Sequence, residues 1–590
     1  MNPKQEIFID MHYAKDHRTG YLFDPWVNLG PRRRQILDTS WSGLFRKGLL
    51  DHLPVDLLAR NFKEFRGRPT KELYTILGGQ ILQQMFDLSD YEARNALLFR
   101  TDWHYALDIA DTSDESLYIS ERTWRNYRQL SIKGGLEGIM FKLLTGDLIK
   151  KFEVETSKQR LDSTHMLSNM RKLGRIRIFV TTIQKFLRAL RCRRPTEYSA
   201  LESEFIERYL AKDADACFSQ VKPSEASKTL EQVSADLYLL IESFRAYESI
   251  VKLSEYKLLE RVLDEQCTVV DTGENIKVTV KPAKEISIDS LQNPSDPDAG
   301  YDAHKGQGYQ MQIMETYQPE KQDKKIPKLI THVEVEPAHI HDSHALLPAI
   351  DDTKKRNCSP DELLCDTHYG SEDNVQKAQE KGVTVIAPSP GNTPKKSLGI
   401  NDFTCDPKTQ YVTQCPEGNH PQKTYRTKKN RLCANFPKET CLACPRRTDC
   451  PVQIGKKAAY LRYDDAMLRH AQRRAYEETP EFRDKYRWRS GIEGTNSHLK
   501  SEVGIARLRV RGLPAVRFAG TLKALGLNIM RSAHAMKVRI DEGLTPFLGQ
   551  NSLVTTVFSL AQSFHLNFLL QKMKNIIRFM KIPAFFQCAS

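Results

Sequence analysis

The sequence lacks the features of a secreted or a repetitive protein. Its first residues, MNPKQEIFIDMHYAKDH, contain no apolar run of the kind found in signal peptides. It has no internal repeat and no low-complexity tract, and its 40% hydrophobic and 27% charged residues argue against long disorder. At 590 residues the chain is too long for one hydrophobic core, so we expect about two to four domains in a cytoplasmic protein.

Long hydrophobic runs are almost absent as well. One stretch is long and apolar enough to be considered as a membrane span. Residues 552–570, SLVTTVFSLAQSFHLNFLL, contain no Asp, Glu, Lys or Arg, and their number suits a short transmembrane helix. However, Gln562, His565 and Asn567 lie in its second half. This favours a buried or partner-facing helix, and we expect no membrane association.

Acidic residues are outnumbered by basic ones. The net charge of +14 and the pI near 9.0 favour an anionic partner, most often nucleic acid, although charge alone does not separate nucleic-acid binding from other basic proteins. Residues 171–194 contain nine Lys or Arg and no acid. We interpret this strip as a surface that contacts DNA.

Cysteines are concentrated in one short region. Six of the twelve lie between Cys405 and Cys450, and without a secretory signal we expect metal ligands or free thiols rather than disulfides. The region reads as a loop-rich, basic insertion without a core of its own, in which KTYRTKKNR (423–431) would contact the DNA backbone. Spacing nominates four ligands of a structural Zn²⁺, with Cys433 or Cys405 as substitutes: Cys415, Cys441, Cys444 and Cys450.

The remaining pattern combines helices with strands. Residues 33–150 read as helical, and Ser89 with Glu92 forms a candidate capping box; a plain bundle and a DNA-binding module fit equally. Residues 158–169 predict a strand that contains Asp162, and Asp366 ends another predicted strand. Further strands are predicted within 267–280, 308–317, 328–337 and 361–388, which indicates helices layered on a mixed sheet.

A third acid lies in the segment YRWRSGIEGTNSHLK. Tyr486, Arg489, Glu493 and Lys500 are spaced by three, four and seven residues, which on one α-helix places them within roughly 60° of arc. An exposed helix with an Arg–Glu pair would show the same stripe. Glycines flank the acid at a cost of about 1 kcal/mol each relative to Ala, and we interpret them as leaving room for a nucleic-acid backbone.

The spacing Tyr-x2-Arg-x3-Glu-x6-Lys resembles, without a mismatch, the third-acid helix of bacterial insertion-sequence transposases of the DDE class. LDSTH around Asp162 and LLCDTHYGSEDN around Asp366 are similar to the segments that carry the first and second acids of that family. The similar blocks run from about residue 40 to 535 in the family's order. The sequence most resembles insertion-sequence groups four, five and eleven-eighty-two, especially the last.

This resemblance implies an RNase H-like catalytic core of the α+β or α/β class. Asp162, Asp366 and Glu493 would hold two Mg²⁺ or Mn²⁺ ions. The implied organisation is a helical N-terminal DNA-binding domain at 1–150, core at 151–388 with a helical insertion at about 185–265, a Cys-rich insertion at 389–460, further core at 461–535 and a helical tail at 536–590.

It also implies a function. Tyr486, Arg489 and Lys500 would hold DNA phosphates beside the scissile bond, and Trp488 would either stack on a base or belong to the core. The protein would bind its terminal inverted repeats as a homodimer on nucleoid DNA, cleave the transposon ends and join the 3′-OH to target DNA. An RNase H-like nuclease without strand transfer and an inactive, transposase-derived DNA-binding protein are the alternatives.

Overall fold

The computed structural model describes residues 13–17, 24–62, 69–211, 218, 221–271, 276–319, 323–391, 398–428 and 430–544. The apolar stretch at 552–570 and most of the expected C-terminal tail lie outside these ranges. Among the described residues, no helix is both long and apolar enough to cross a membrane.

Helices fill the N-terminal part of the chain. Ser89 and Glu92 form the expected capping box, in which the Ser89 hydroxyl accepts the Glu92 N–H and the Glu92 carboxylate accepts the Ser89 N–H. The helices are α1 (Pro31–Asp38), α2 (Trp41–Gly48), α3 (Val55–Ala59), α4 (Leu73–Met85), α5 (Asp90–Phe99), α6 (Thr101–Ala106), α7 (Asp114–Leu117), α8 (Glu121–Lys133) and α9 (Leu136–Phe152).

A six-stranded mixed sheet follows. Its strands are β1 (Lys158–Met166), β4 (Gly300–Asp302), β5 (Gly306–Thr316), β6 (Ile330–Pro337), β7 (Glu362–Leu364) and β8 (Thr384–Ile386). The order is β6-β5-β1-β7-β8, and β4 pairs with the start of β5. β1 runs antiparallel to β5 and β5 antiparallel to β6, whereas β1, β7 and β8 are parallel. The parallel strands need crossovers, which α16 (Leu346–Lys355) and α17 (Glu372–Glu380) provide.

Helices cover both faces of this sheet. One face packs on α16, where Leu346 and Ile350 share a core with Leu161 of β1 and Leu363 of β7. The opposite face packs on the long helix α22 (Leu513–Asp541). The core beneath α22 also includes apolar side chains of the N-terminal helices, so those helices and the sheet are held together through α22.

A helical block lies between β1 and β5. Its helices are α10 (Arg175–Arg193), α11 (Pro195–Ser199), α12 (Ser203–Leu210), α13 (Ala226–Phe244), α14 (Glu248–Val251) and α15 (Ser254–Gln266), followed by the hairpin β2 (Cys267–Asp271) and β3 (Ile276–Val280). The block has its own hydrophobic core. It begins about ten residues earlier than expected because the basic strip is itself helical. Helix α10 buries Phe179 and Phe186, whereas Arg188 on the helix and Arg171 just before it are exposed.

The Cys-rich insertion is more ordered than the sequence predicts. It contains β9 (Thr404–Cys405), β10 (Val412–Gln414), β11 (Lys423–Arg426), β12 (Leu432–Phe436), α18 (Lys438–Leu442), β13 (Gln453–Ile454) and β14 (Ala459–Tyr463). Four strands pair in the order β11-β12-β14-β13. Leu432, Phe436, Leu461 and Tyr463 are buried in a small core of the insertion. The expectation of an insertion without a core was therefore wrong, because its short strands are too brief to give a clear alternating pattern.

The chain then returns to the sheet through α19 (Asp465–Glu477), α20 (Pro480–Tyr486), a 3₁₀ turn (Arg487–Ser490) and α21 (Gly491–Ser501). A buried ionic cluster fixes α21. Glu315 of β5 is fully buried and accepts hydrogen bonds from Arg160 of β1 at 2.7 Å, Thr495 of α21 at 2.6 Å and Arg531 of α22 at 3.1 Å. Burial by itself raises the pKa of Glu315, but the two guanidiniums more than offset this, so its pKa is lowered overall.

The two glycines beside Glu493 have different surroundings. A Cβ atom at Gly491 would collide with the Arg160 guanidinium, which also donates to the Trp488 carbonyl at 2.8 Å. Gly491 is thus explained by a close contact within the protein, and its interpretation as room for nucleic acid was wrong. A Cβ at Gly494 meets no described atom within 4 Å.

This difference gives a matched pair of variants. We expect Gly491→Ala to destabilise the protein by about 1–3 kcal/mol, because the buried Arg160 would have to move. Gly494→Ala should stabilise it by about 0.5–1 kcal/mol, since alanine is the better helix former in open space. The midpoint of thermal unfolding measures both effects. Equal shifts for the two variants would contradict the proposed docking of α21 on Arg160.

Candidate active site

Two of the predicted acids lie side by side on parallel strands. Arg160 of β1 pairs in register with Leu364 of β7. Two residues further along, Asp162 and Asp366 therefore fall at neighbouring positions on the same face, which is the face covered by α21 and α22. Asp162 is buried within β1, whereas Asp366 follows the end of β7 and is half-buried.

The third acid arrives on a segment that is not one helix. α20 ends at Tyr486, the next four residues form a 3₁₀ turn, and Glu493 lies in the first turn of α21. The expected four-residue stripe on a single α-helix was wrong in this respect, because hydrophobic and charge periodicity does not distinguish a tighter 3₁₀ turn from an α-helix. Ile492, Thr495 and Leu499 hold the sheet side of α21, which leaves Glu493 exposed.

One guanidinium joins the three acids. Arg489 contacts Asp162 at 3.1 Å, Asp366 at 3.8 Å and Glu493 at 3.2 Å. The Arg489 side chain is 18% and that of Asp162 10% exposed, so this ion pair is less screened than the Arg489–Glu493 pair, whose carboxylate is 66% exposed. The structure therefore brings Asp162, Asp366 and Glu493 together around a single cation.

Asp162 lies in a buried environment with several charged neighbours. Burial raises its pKa; the Arg489 charge opposes this, and the nearby carboxylates of Asp366 and Asp342 add to the increase. The second carboxylate oxygen of Asp162 accepts a hydrogen bond from the Asn496 side chain at 3.2 Å. Asp162 is thus held in place from two sides, by Arg489 and by Asn496.

Sequence reasoning missed two groups at this site. Asn496 lies three residues after Glu493, on a neighbouring position of the same helix, so helical spacing would have identified it. Among the described residues, the buried Asn496 Oδ1 has no hydrogen-bond partner. Lys305 contacts Asp342 at 3.1 Å and donates to Ser163 Oγ, beside Asp162, at 2.9 Å; its place in a turn before β5 gave no signal.

The other predicted DNA-binding residues have different surroundings. Tyr486 stacks on Phe482 with ring centroids 5.3 Å apart, and burial raises its pKa while the Arg489 charge lowers it. Trp488 is half-buried against a small core at the ends of β7 and β8, with the Arg487 guanidinium 5.1 Å from its ring. Lys500 is exposed and lies two turns beyond Glu493, about 10 Å along the helix.

The four cysteines nominated by spacing, Cys415, Cys441, Cys444 and Cys450, line one small cavity in the insertion. As the side chains are placed in the described ranges, no three His, Cys, Asp or Glu residues are grouped closely enough to hold a metal ion. This holds for Asp162, Asp366 and Glu493 as well, because the Arg489 guanidinium lies between their carboxylates.

Comparisons with known proteins agree with part of this picture. Residues 414–533 match the family model of the transposase DDE domain, a range that includes Glu493 but neither Asp162 nor Asp366. No curated protein matches the chain. One similar solved structure is a cryo-EM structure of a piggyBac transposase synaptic complex with hairpin DNA, which is 9% identical over 96% of this chain and 88% of that chain. Its TM-score of 0.28 is too low to establish a shared fold. The resemblance to DDE transposases is therefore supported by the family match, while bacterial origin and the insertion-sequence groups stay predictions.

The position of Arg489 leads to a stability prediction. We expect Arg489→Ala to lower the midpoint of thermal unfolding in metal-free buffer, because Asp162 and its neighbours would lose their shared counter-charge. The free energy of unfolding should fall by about 1–3 kcal/mol. Added Mg²⁺ or Mn²⁺ should raise the midpoint of this variant more than that of the unchanged protein.

Arg487→Ala is the matched control. Arg487 lies two residues away and pairs with Asp484 at 3.0 Å on the exposed side of the turn. Its loss should leave both the midpoint and the response to metal nearly unchanged. The same response in both arginine variants would rule out a specific role of Arg489 among the acids.

Proposed function

We propose that the protein is a bacterial insertion-sequence DDE transposase that binds the terminal inverted repeats of its element, cleaves DNA at the element's ends and joins the freed 3′-OH to target DNA. The observation that carries this proposal is the convergence of Asp162, Asp366 and Glu493 around Arg489. The match of residues 414–533 to the transposase DDE domain supports it.

The strand order supports an RNase H-like core. Such a core has three antiparallel strands followed by two parallel ones, in the spatial order 3-2-1-4-5. Here β1, β5 and β6 supply the antiparallel strands and β7 and β8 the parallel ones, in the order β6-β5-β1-β7-β8. The helical block would then be an insertion between the first two core strands, and the Cys-rich region an insertion after the fifth.

The chemistry of the donor set suits divalent metal ions, although the carboxylates are spaced around Arg489 and not around an ion. Carboxylate oxygens are hard ligands of the kind that Mg²⁺ and Mn²⁺ prefer, and three of them lie within 4 Å of one guanidinium. The Asn496 Oδ1 atom, unpaired among the described residues, adds a further oxygen beside Asp162. Asp162, Asp366 and Glu493 would hold two ions, which supply activation of the attacking oxygen and stabilisation of the leaving oxygen in an in-line displacement.

The other residues of the site would bind and orient the DNA. Arg489 neutralises the acids in the structure and is placed to pair with a phosphate beside them. Tyr486 next to it, and Lys500 two turns along α21, would contact phosphates on either side. Gly494 leaves the exposed side of α21 open, where a DNA backbone could approach. We keep both roles of Trp488, base stacking and core packing, as alternatives.

We further propose that the protein binds double-stranded DNA both as its terminal inverted repeats and as its target. It would do so as a homodimer. Two transposon ends need two sets of the three acids, and the described residues of one chain contain one such set. The basic face of α10, with Arg171, Lys172, Arg188 and Arg191 exposed at or near it, is a candidate for binding outside the site.

Cleavage and joining can be tested on the DNA that flanks the gene. The protein should nick oligonucleotides that carry the flanking inverted repeats in Mg²⁺ or Mn²⁺, and should join pre-cleaved ends to a supercoiled plasmid. Asp162→Asn, Asp366→Asn and Glu493→Gln should each lower both activities by about 10³-fold or more, because the carboxylates act as one unit.

Glu502→Gln is the control: it lies just beyond the C-terminus of α21, and its only described ion pair is a 4.0 Å contact with His498. This variant should keep full activity. Cleavage without joining would favour the nuclease alternative, and tight binding to the repeats without cleavage would favour an inactive DNA-binding protein. Full activity in any one of the three acid variants would refute the proposed site.

A further inference from the structure

The fold of the Cys-rich insertion selects four of its six cysteines. Cys415, Cys441, Cys444 and Cys450 line one cavity of about 30 Å³, although they span 36 residues of sequence. They come from two separate segments: the turn after β10, and helix α18 with the loop that connects it to β13. Tertiary folding, and not sequence proximity alone, therefore brings these thiols to one place.

The other two cysteines of the insertion face different partners. Cys433 is buried in β12, and its thiol donates to the Asn435 side chain at 3.4 Å. Cys405 lies in β9, and its thiol is directed to the Phe403 carbonyl at 3.8 Å. Neither lines the cavity. Spacing left these two as possible substitutes, and the structure removes that ambiguity.

Two of the four cysteines begin tight turns. The Gly418 N–H donates to the Cys415 carbonyl at 2.9 Å, and Gly418 has a φ of +81°, a conformation that glycine adopts readily. The Arg447 N–H donates to the Cys444 carbonyl at 3.1 Å. Such turns hold a thiol at a fixed place on the chain, as a tetrahedral site requires of its ligands.

The charges around the cavity and the small core of the insertion are compatible with a Zn²⁺ ion held by thiolates. All cysteines of the described insertion are free of disulfides. Arg446 and Arg447 line the same cavity. Four thiolates around one Zn²⁺ carry a net charge of −2; Glu417 also lines the cavity, 4.0 Å from Arg446, so these three charged side chains would offset part of that charge. The insertion's own core is small, and small β-structures of this kind commonly need a metal or disulfide to be stable.

We propose that Cys415, Cys441, Cys444 and Cys450 bind one structural Zn²⁺ ion. As placed, the thiols are not close enough together to hold an ion, so binding would draw them inward across the small cavity to Zn–S distances of about 2.3 Å. Each thiol releases one proton on binding, so one Zn²⁺ displaces four protons. The ion would tie α18 and the loop before β13 to the turn after β10, and so brace the four-stranded sheet. This proposal does not depend on the proposed transposase activity.

Metal content of the full-length protein, purified from zinc-supplemented medium without chelator, tests the proposal. Elemental analysis should find about one zinc per chain. Cys441→Ser and Cys444→Ser should each lower the zinc content at least about tenfold at a fixed low zinc concentration, since loss of a ligand weakens binding more than loss of a supporting contact. Cys433→Ser and Cys192→Ser, which change cysteines outside the cavity, should retain it.

A measurement on the unchanged protein covers the case in which the ligand variants fail to fold. An organomercurial titration with a colorimetric zinc indicator should release the zinc as four thiols react. Cobalt substitution should give the visible absorption of tetrahedral thiolate coordination. The proposal is overturned if the unchanged protein neither contains zinc nor takes it up after reduction, if the Cys433 variant loses zinc as the Cys441 variant does, or if thiol counting without reductant shows these cysteines oxidised to disulfides.

Discussion

The buried carboxylate of Glu315 in β5 joins β1 and the consecutive helices α21 and α22, which lie in distant parts of the sequence. It contacts Arg160 of β1, Thr495 of α21 and Arg531 of α22. Removing either arginine would leave a fully buried charge with only partial compensation, a defect that typically costs several kcal/mol. Arg160 in turn holds the Trp488 carbonyl. The cluster therefore sets the position of α21 on the sheet, and with it the distance of Glu493 from the acids of β1 and β7.

The acids show how burial and exposure are divided within one site. Asp162 is buried in the sheet, Asp366 is half-buried at a strand end, and Glu493 is exposed on a helix. Each acid belongs to a different part of the fold. Among the described residues, Arg489 is the only cation that contacts all three. A site assembled in this way holds two carboxylates in or beside the sheet and the third on a helix that the Glu315 cluster fixes. The positive charge between them keeps three nearby carboxylates from repelling one another.

Local patterns in the sequence predicted the acids but not the contacts that place them. Asp162 is identifiable within a strand-like run, Asp366 at the end of another, and Glu493 by its spacing from Tyr486 and Arg489. The Glu315 cluster left no such signal, since its arginines lie 155 and 216 residues away in sequence. The core of the Cys-rich insertion was also missed, because strands of two to five residues are too short to show an alternating pattern.

Helix α22 has a consequence for the order in which the protein can mature. It is the last described helix, yet its apolar side chains complete the core shared by the sheet and the N-terminal helices. During synthesis the chain emerges from its N-terminus, so more than five hundred residues precede the helix that closes this core. Until α22 has left the ribosome, one face of the sheet stays uncovered and Glu315 lacks Arg531. The nascent chain therefore depends on its final third to cover surfaces made by its first two thirds.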